Sequence, residues 1–200
     1  QRLEATGGAQ RLDARVRLEL RDWLRRLHEE TQVTTLLVTH DQEEAMELAE
    51  HVVVMHEGRV AQAGTPLEIY DCPATPFVAS FVGGANVLSG RIQAGRAEVG
   101  AFAVAAPDGA REGAAVSAYV RPHDVKLTKT DDDNRGVAVA RIDRLFRVGG
   151  SVKVSLKLAS GEPLTVVMPR AEIEALGVAE GDHVMVDLKE AKVFVEDYSI

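Results

Sequence analysis

His40 is the residue in this chain with the strongest chemical content. It closes the apolar run Thr34-Thr35-Leu36-Leu37-Val38 and is followed at once by Asp41-Gln42-Glu43-Glu44. An imidazole can hold or release a proton near neutral pH, which makes a strand-end histidine a candidate for chemistry. Ligands of open α/β sheets sit just outside the carboxyl ends of the strands, the place His40 takes if 34–38 is a strand. A plain capping or core histidine is the alternative reading. Cys72, the one cysteine, lies between Asp71 and Pro73 and reads as a turn residue rather than a nucleophile. His51 and His56 read as surface residues.

The elements that must position His40 follow from spacing. The 34–38 run has the short, continuous β-rich character of a strand buried on both faces. Asp41 offers an N-cap with Glu44 three residues on, a capping-box pattern that predicts a helix from Gln42 to Glu50. Upstream, Val16, Leu20, Leu24 and Leu27 recur at helical spacing and predict a helix over Val16 to Glu30 with one apolar face. Val52 to Met55 and Val60 to Ala63 predict a hairpin around His56-Glu57-Gly58-Arg59. Thr65-Pro66 with Glu68, and Thr75-Pro76, are two further helix starts. Phe77, Val78, Phe81 and Val82 give the second an apolar face, and the Gly83-Gly84-Ala85-Asn86 corner ends it. That corner divides the chain into residues 1–84 and 85–200.

The unbroken stretch LVTHDQEEAMELAEHVVVMHEGRVAQAGTPLEIYDCPATPFVASFVG resembles the ATP-binding subunits of ATP-binding-cassette importers, specifically the sulfate/thiosulfate type. The resemblance extends over most of the chain. It implies that His40 is the switch histidine that contacts the γ-phosphate and the attacking water. It also implies that Leu12-Asp13-Ala14 is the D-loop, whose aspartate, Asp13, works across a dimer interface. ATP and magnesium are then cofactors of the parent protein, membrane permease subunits and a second copy its partners, and the cytoplasmic, inner face of a bacterial plasma membrane its place.

Departures from the family pattern matter as much. A phosphate-binding loop needs glycines whose N–H groups cradle phosphates and a lysine that reaches the β/γ oxygens. The first lysine here is Lys126. Where the family has an apolar strand ending in Asp-Glu before the D-loop, this chain reads Thr6-Gly7-Gly8. Thr6 to Gln10 is either a relic of the Ser-Gly-Gly-Gln signature or a loop. The residues therefore read as the distal part of an importer ATPase, a partial α/β domain that alone should not hydrolyse ATP. Its incomplete sheet exposes edges, which favours pairing of two copies.

From Asn86 the grammar changes to short strands separated by Gly, Pro and Asp clusters. Val87–Ile92, Glu98–Val104, Ala115–Tyr119, Val125–Thr128, Gly136–Leu145, Ser151–Leu158, Leu164–Met168, His183–Leu188 and Val193–Val195 read as strands, with one helix over Ala171–Leu176 stopped by Gly177. This predicts an all-β barrel of the oligonucleotide/oligosaccharide-binding (OB) type. The resemblance implies the same: the accessory β domain that follows importer ATPases. Arg121, in Tyr119-Val120-Arg121-Pro122-His123-Asp124-Val125, matches an Arg-Pro-x-x-Val turn of that domain and reads either as a turn-pinning cation or as an oxyanion contact. Related barrels in molybdate systems hold their anion with backbone N–H groups and hydroxyls, which makes Arg147, Gly149, Gly150 and Ser151 the candidate contacts for an oxyanion-sensing module. A hairpin turn explains the two glycines equally well.

Bulk properties bound the partners. Twenty-three basic against 31 acidic residues leave a net charge of −8. The counts are 8 against 14 up to Gly84 and 15 against 17 after it, so neither half is a basic footprint and nucleic acid is not expected as a partner. One cysteine allows no intrachain disulfide. No window approaches the roughly 18 to 20 apolar residues of a membrane helix, so membrane association would be by docking.

Overall fold

A computed structural model of the chain describes residues 16, 19–28, 30–31, 33–130 and 138–196. These fall into two compact units, Gln1–Ala74 and Thr75–Ile200. The division lies ten residues before the expected Gly84 corner, because the helix opened by Thr75-Pro76 groups with the β-rich part.

In the first unit, residues 19–28 form helix α1, within the span its periodicity predicts. Residues 33–39 form no strand: Leu36 and Val38 are 89% and 87% exposed. The expected strand at 34–38 is therefore not made. A strand is defined by the neighbour that takes its N–H and C=O groups, and none is present among the described residues. Helix α2 spans Gln42–Leu48, ending two residues short of Glu50. Strands β1 (Val52–His56) and β2 (Arg59–Gly64) pair antiparallel around Glu57-Gly58. Both loop residues have positive φ, 49° and 74°, as a two-residue hairpin requires. The pair forms a two-stranded sheet of its own; Val52 and Val54 are buried, while Val53, Met55 and Val60 face solvent. Helix α3 (Pro66–Asp71) carries the closed Thr65–Glu68 capping box and buries Ile69 completely. No parallel strand pair occurs among the described residues of this unit, so its α/β character is only partly realised.

Among its described residues the second unit is all-β apart from two short helices. Helix α4 (Pro76–Phe81) is capped by the Thr75 hydroxyl. One five-stranded antiparallel sheet runs β12-β6-β3-β4-β5 and the other β10-β9-β8-β11-β7. Their members are β3 (Asn86–Gln93), β4 (Arg96–Val99), β5 (Phe102–Ala105), β6 (Ala115–Val120), β7 (Val125–Lys129), β8 (Ala138–Val148), β9 (Ser151–Leu158), β10 (Pro163–Pro169), β11 (His183–Leu188) and β12 (Lys192–Val195). The expected strand over Glu98–Val104 is two strands, because the chain turns at Gly100, where φ is 60°. The expected start of β8 at Gly136 lies outside the described residues.

The two sheets share one core. Leu88, Ile92, Val116 and Val120 come from one, and Ile142, Val154, Leu156, Val166 and Val184 from the other, all at most 2% exposed. β9 shows why: its burial strictly alternates from Val152 to Leu158, with Val and Leu inward and Ser and Lys outward, as its period-two sequence dictates. Helix α5 (Arg170–Leu176) buries Ile173 and ends at Gly177 in the left-handed region, φ 61°. β10 is an edge strand with proline at both ends. Its Val167 N–H donates to Pro122 O at 2.9 Å, and its Thr165 backbone is held by the Asn86 amide of β3.

Candidate functional site

His40 is exposed, in the turn just before α2. The residues on either side of it are tied down. The Asp41 N–H donates to Thr39 Oγ1 at 2.9 Å, and that hydroxyl donates to Glu44 Oε2 at 2.8 Å. Asp41 Oδ1 accepts from the N–H groups of Glu43 and Glu44 at 3.0 and 3.3 Å, satisfying two of the open donors of the first helical turn. Asp41 is thus the predicted N-cap. The expected reciprocal bond from Glu44 is not made, because the Thr39 hydroxyl takes both the Asp41 N–H and the Glu44 carboxylate.

The second carboxylate oxygen of Asp41 reaches α1. Arg21 Nη2 lies 3.3 Å from Asp41 Oδ2, Nη1 3.3 Å from Glu47 Oε2 and Nε 3.8 Å from Glu44 Oε1. Arg21 is only 9% exposed, so its charge is compensated by three carboxylates of a neighbouring element rather than by water. Arg25 adds a pair with Glu47 at 3.1 Å. The apolar face of α1 is exposed at Val16, Leu20, Trp23 and Leu27, and these ion pairs join α1 to α2. Sequence reading missed Arg21, because an arginine on a helix next to acidic residues reads as a solvated surface charge.

His40, Asp41, Gln42 and Glu43 line an open depression. Its rim is acidic at Asp41 and Glu43, so the depression alone does not favour an anion. The one imidazole in its lining is that of His40. Among the described residues no cluster of His, Cys, Asp and Glu could hold a metal. Asp13 lies outside the described residues.

The candidate anion contacts fall in two places. Arg121 sits at the foot of α4, where Nη1 donates to Ala79 O at 3.1 Å and also to Val82 O; it caps the last carbonyls of the helix, a favourable place for a cation. Arg147, Gly149, Gly150 and Ser151 stand at the exposed tip of the β8–β9 hairpin. Gly149 alone of the two glycines has positive φ, 58°, as a tight hairpin turn with glycine first requires.

Two family models match the second unit: "CysA C-terminal regulatory domain" over residues 86–127 and "TOBE-like domain" over residues 132–189. The chain is 42% identical over 192 residues to a sulfate/thiosulfate import ATP-binding protein CysA of Bacillus cereus, covering 94% of this chain and 54% of that protein. The chain is homologous to the carboxyl-terminal region of the CysA sulfate/thiosulfate import ATP-binding proteins. A CysA of Synechococcus elongatus is likewise 42% identical over 189 residues, with 94% of this chain and 51% of the relative covered. One from Burkholderia pseudomallei is 44% identical over 184 residues, with 92% and 52% covered. The chain spans about half the length of the curated relatives it matches. A solved structure of the cytoplasmic molybdate-binding protein ModG, with molybdate bound, is similar at 19% identity and a TM-score of 0.42, covering 56% of this chain and 96% of that one. The homology covers the His40 segment as well as the β domain, and the second unit is an all-β, TOBE-type domain. No helix among the described residues is long and apolar enough to cross a membrane.

Proposed function

We propose that this chain is the distal portion of the ATP-binding subunit of a sulfate/thiosulfate importer, which in its complete form couples ATP hydrolysis to oxyanion uptake. The clamped turn around His40, within a segment homologous to CysA proteins, carries this reading. Bound ATP and magnesium would supply the phosphoryl chemistry, but the residues that hold them are not in this chain, which has no lysine before Lys126. His40 presents its imidazole beside the transferring phosphoryl, and Asp41 fixes the backbone that aims it. Asp13 would act across the interface between two copies. The TOBE-type unit serves as the accessory regulatory domain, and the complete subunit docks on membrane permease subunits from the cytoplasmic side. The Arg147 to Ser151 hairpin tip is the place to look for an oxyanion if the β domain also senses one.

The chain with magnesium-ATP should show no turnover above buffer, since neither the phosphate-binding lysine nor the Asp-Glu pair is present to stabilise the transferring group and orient water. In the complete subunit with its permease partners, His40→Ala should lower turnover strongly and leave ATP affinity nearly intact. Equal losses of turnover and affinity would make His40 a binding residue and sink this assignment. Light scattering of the chain at several concentrations should give a dimer; a monomer at high concentration would remove the self-association part of the proposal.

A further inference from the structure

We infer that Arg21 is the positioning residue for His40, and that through it α1 governs where the imidazole points. This rests on the reading of His40 given above and extends it to a residue one element away. The residues on both sides of His40 are held: Thr39 is bonded to Asp41 N–H and to Glu44, and Asp41 is bonded to the first turn of α2. Both acidic members of this clamp, Asp41 and Glu44, are also ion-paired with Arg21, at 3.3 and 3.8 Å, and the Glu47 pair one turn on sets the far end of the fork at 3.3 Å.

The guanidinium is the right group for this place. Its planar fork can face carboxylates at several positions along one helix at once, which a lysine ammonium cannot. At 9% exposure it is poorly hydrated, so its attraction to these carboxylates is little screened. Its Nε is buried and makes no hydrogen bond, which leaves its electrostatic hold on Glu44 as the contact that a small shift of α1 would strengthen or break. A displacement of α1 must therefore drag Asp41 and Glu44, and with them the turn that carries His40. Arg25 also pairs with Glu47, but of these arginines Arg21 is the one whose ion pairs reach the cap residue Asp41.

The test uses two variants and two preparations. In the chain itself, Arg21→Met should accelerate hydrogen exchange of the Glu43 and Glu44 amides about tenfold, the scale of losing a charge-assisted hydrogen bond to the cap. It should also shift the His40 ring resonances while leaving amides of β9 unchanged, and Arg21→Lys should recover part of both effects. In the complete subunit, Arg21→Met should lower kcat roughly tenfold or more with KM for ATP unchanged, and Arg21→Lys should again recover part. Unaltered His40 resonances in Arg21→Met, or exchange that rises equally through the β1–β2 hairpin, would overturn the inference by making Arg21 irrelevant or merely structural. If the resonances shift as expected but His40→Ala leaves turnover intact, Arg21 still positions His40 and it is the switch-histidine reading that fails.

Discussion

Asn86 and Thr165 exchange two hydrogen bonds: the Thr165 N–H donates to Asn86 Oδ1 at 2.7 Å, and Asn86 Nδ2 donates to Thr165 O at 2.8 Å. One side-chain amide thus does for the β10 backbone what a neighbouring strand would do. Because Asn86 opens β3, the bonds tie the two sheets of the second unit together. The same Nδ2 also donates to Val120 O at 3.3 Å.

Replacing Asn86 by Leu should therefore leave the Thr165 N–H and C=O without partners and cost about 1–3 kcal/mol for each group that water cannot reach. Urea unfolding of the chain, followed at the β-domain transition, checks this; an unchanged midpoint would mean that water replaces the amide.

Arg121 holds the carboxyl end of α4. Arg121→Ala should free the Ala79 and Val82 carbonyls and release the helix at a cost of about 1.5–3 kcal/mol, the range for hydrogen bonds to charged groups. Hydrogen exchange at the Val82 amide, which donates to Val78 O at 3.0 Å, should rise in this variant while the Val154 and Val166 amides keep their protection.

Gly90 lies where β3 comes against β4. A Cβ there would meet Glu98 O at 1.9 Å and Val99 Cα at 2.8 Å, and both are backbone atoms that cannot swing aside. Gly90→Ala should cost about 3 kcal/mol or more, at the upper end of overpacking penalties. A thermal melt of the variant beside Gly150→Ala, which has open space and no positive φ, separates crowding from the loss of glycine as such.

The Thr65 backbone N–H and hydroxyl hold the Glu68 carboxyl below its usual value of 4.5. A carboxylate with a depressed folded value stabilises the fold fully above its unfolded value, and that contribution disappears as pH falls through the folded one. The α3 cap should thus be whole at neutral pH and open only below about 4.5, reported by the Thr65 amide resonance, whose N–H donates to Glu68 Oε2 at 2.8 Å. Glu68→Gln should abolish that acid-dependent step.

The sequence disclosed what local chemistry determines. Asp41, Thr65 and Thr75 were legible as caps because a short oxygen-bearing side chain before a helix has few other uses. The inward Val and Leu of β9 were legible because a period of two admits one geometry. What stayed hidden depends on partners distant along the chain. The 34–38 run has strand character but nothing described to pair with. Arg21 meets its carboxylates 20 to 26 residues away, and Asn86 meets Thr165 across 79. The split of β4 from β5 was obscured because Gly100 interrupts a run that is otherwise apolar on both sides.

The edge of β10 has a further consequence for how this protein meets copies of itself. Alternate residues of an antiparallel edge strand turn their backbone groups outward, and Thr165 and Val167 do so here; Pro163 and Pro169 share that side. Proline has no N–H to offer, the Thr165 groups are taken by Asn86, and the Val167 N–H is taken by Pro122. A foreign strand arriving along β10 finds almost no donor to bind, so this margin cannot seed a growing intermolecular sheet. Two copies that meet along this margin must do so through side chains rather than through a shared backbone ladder.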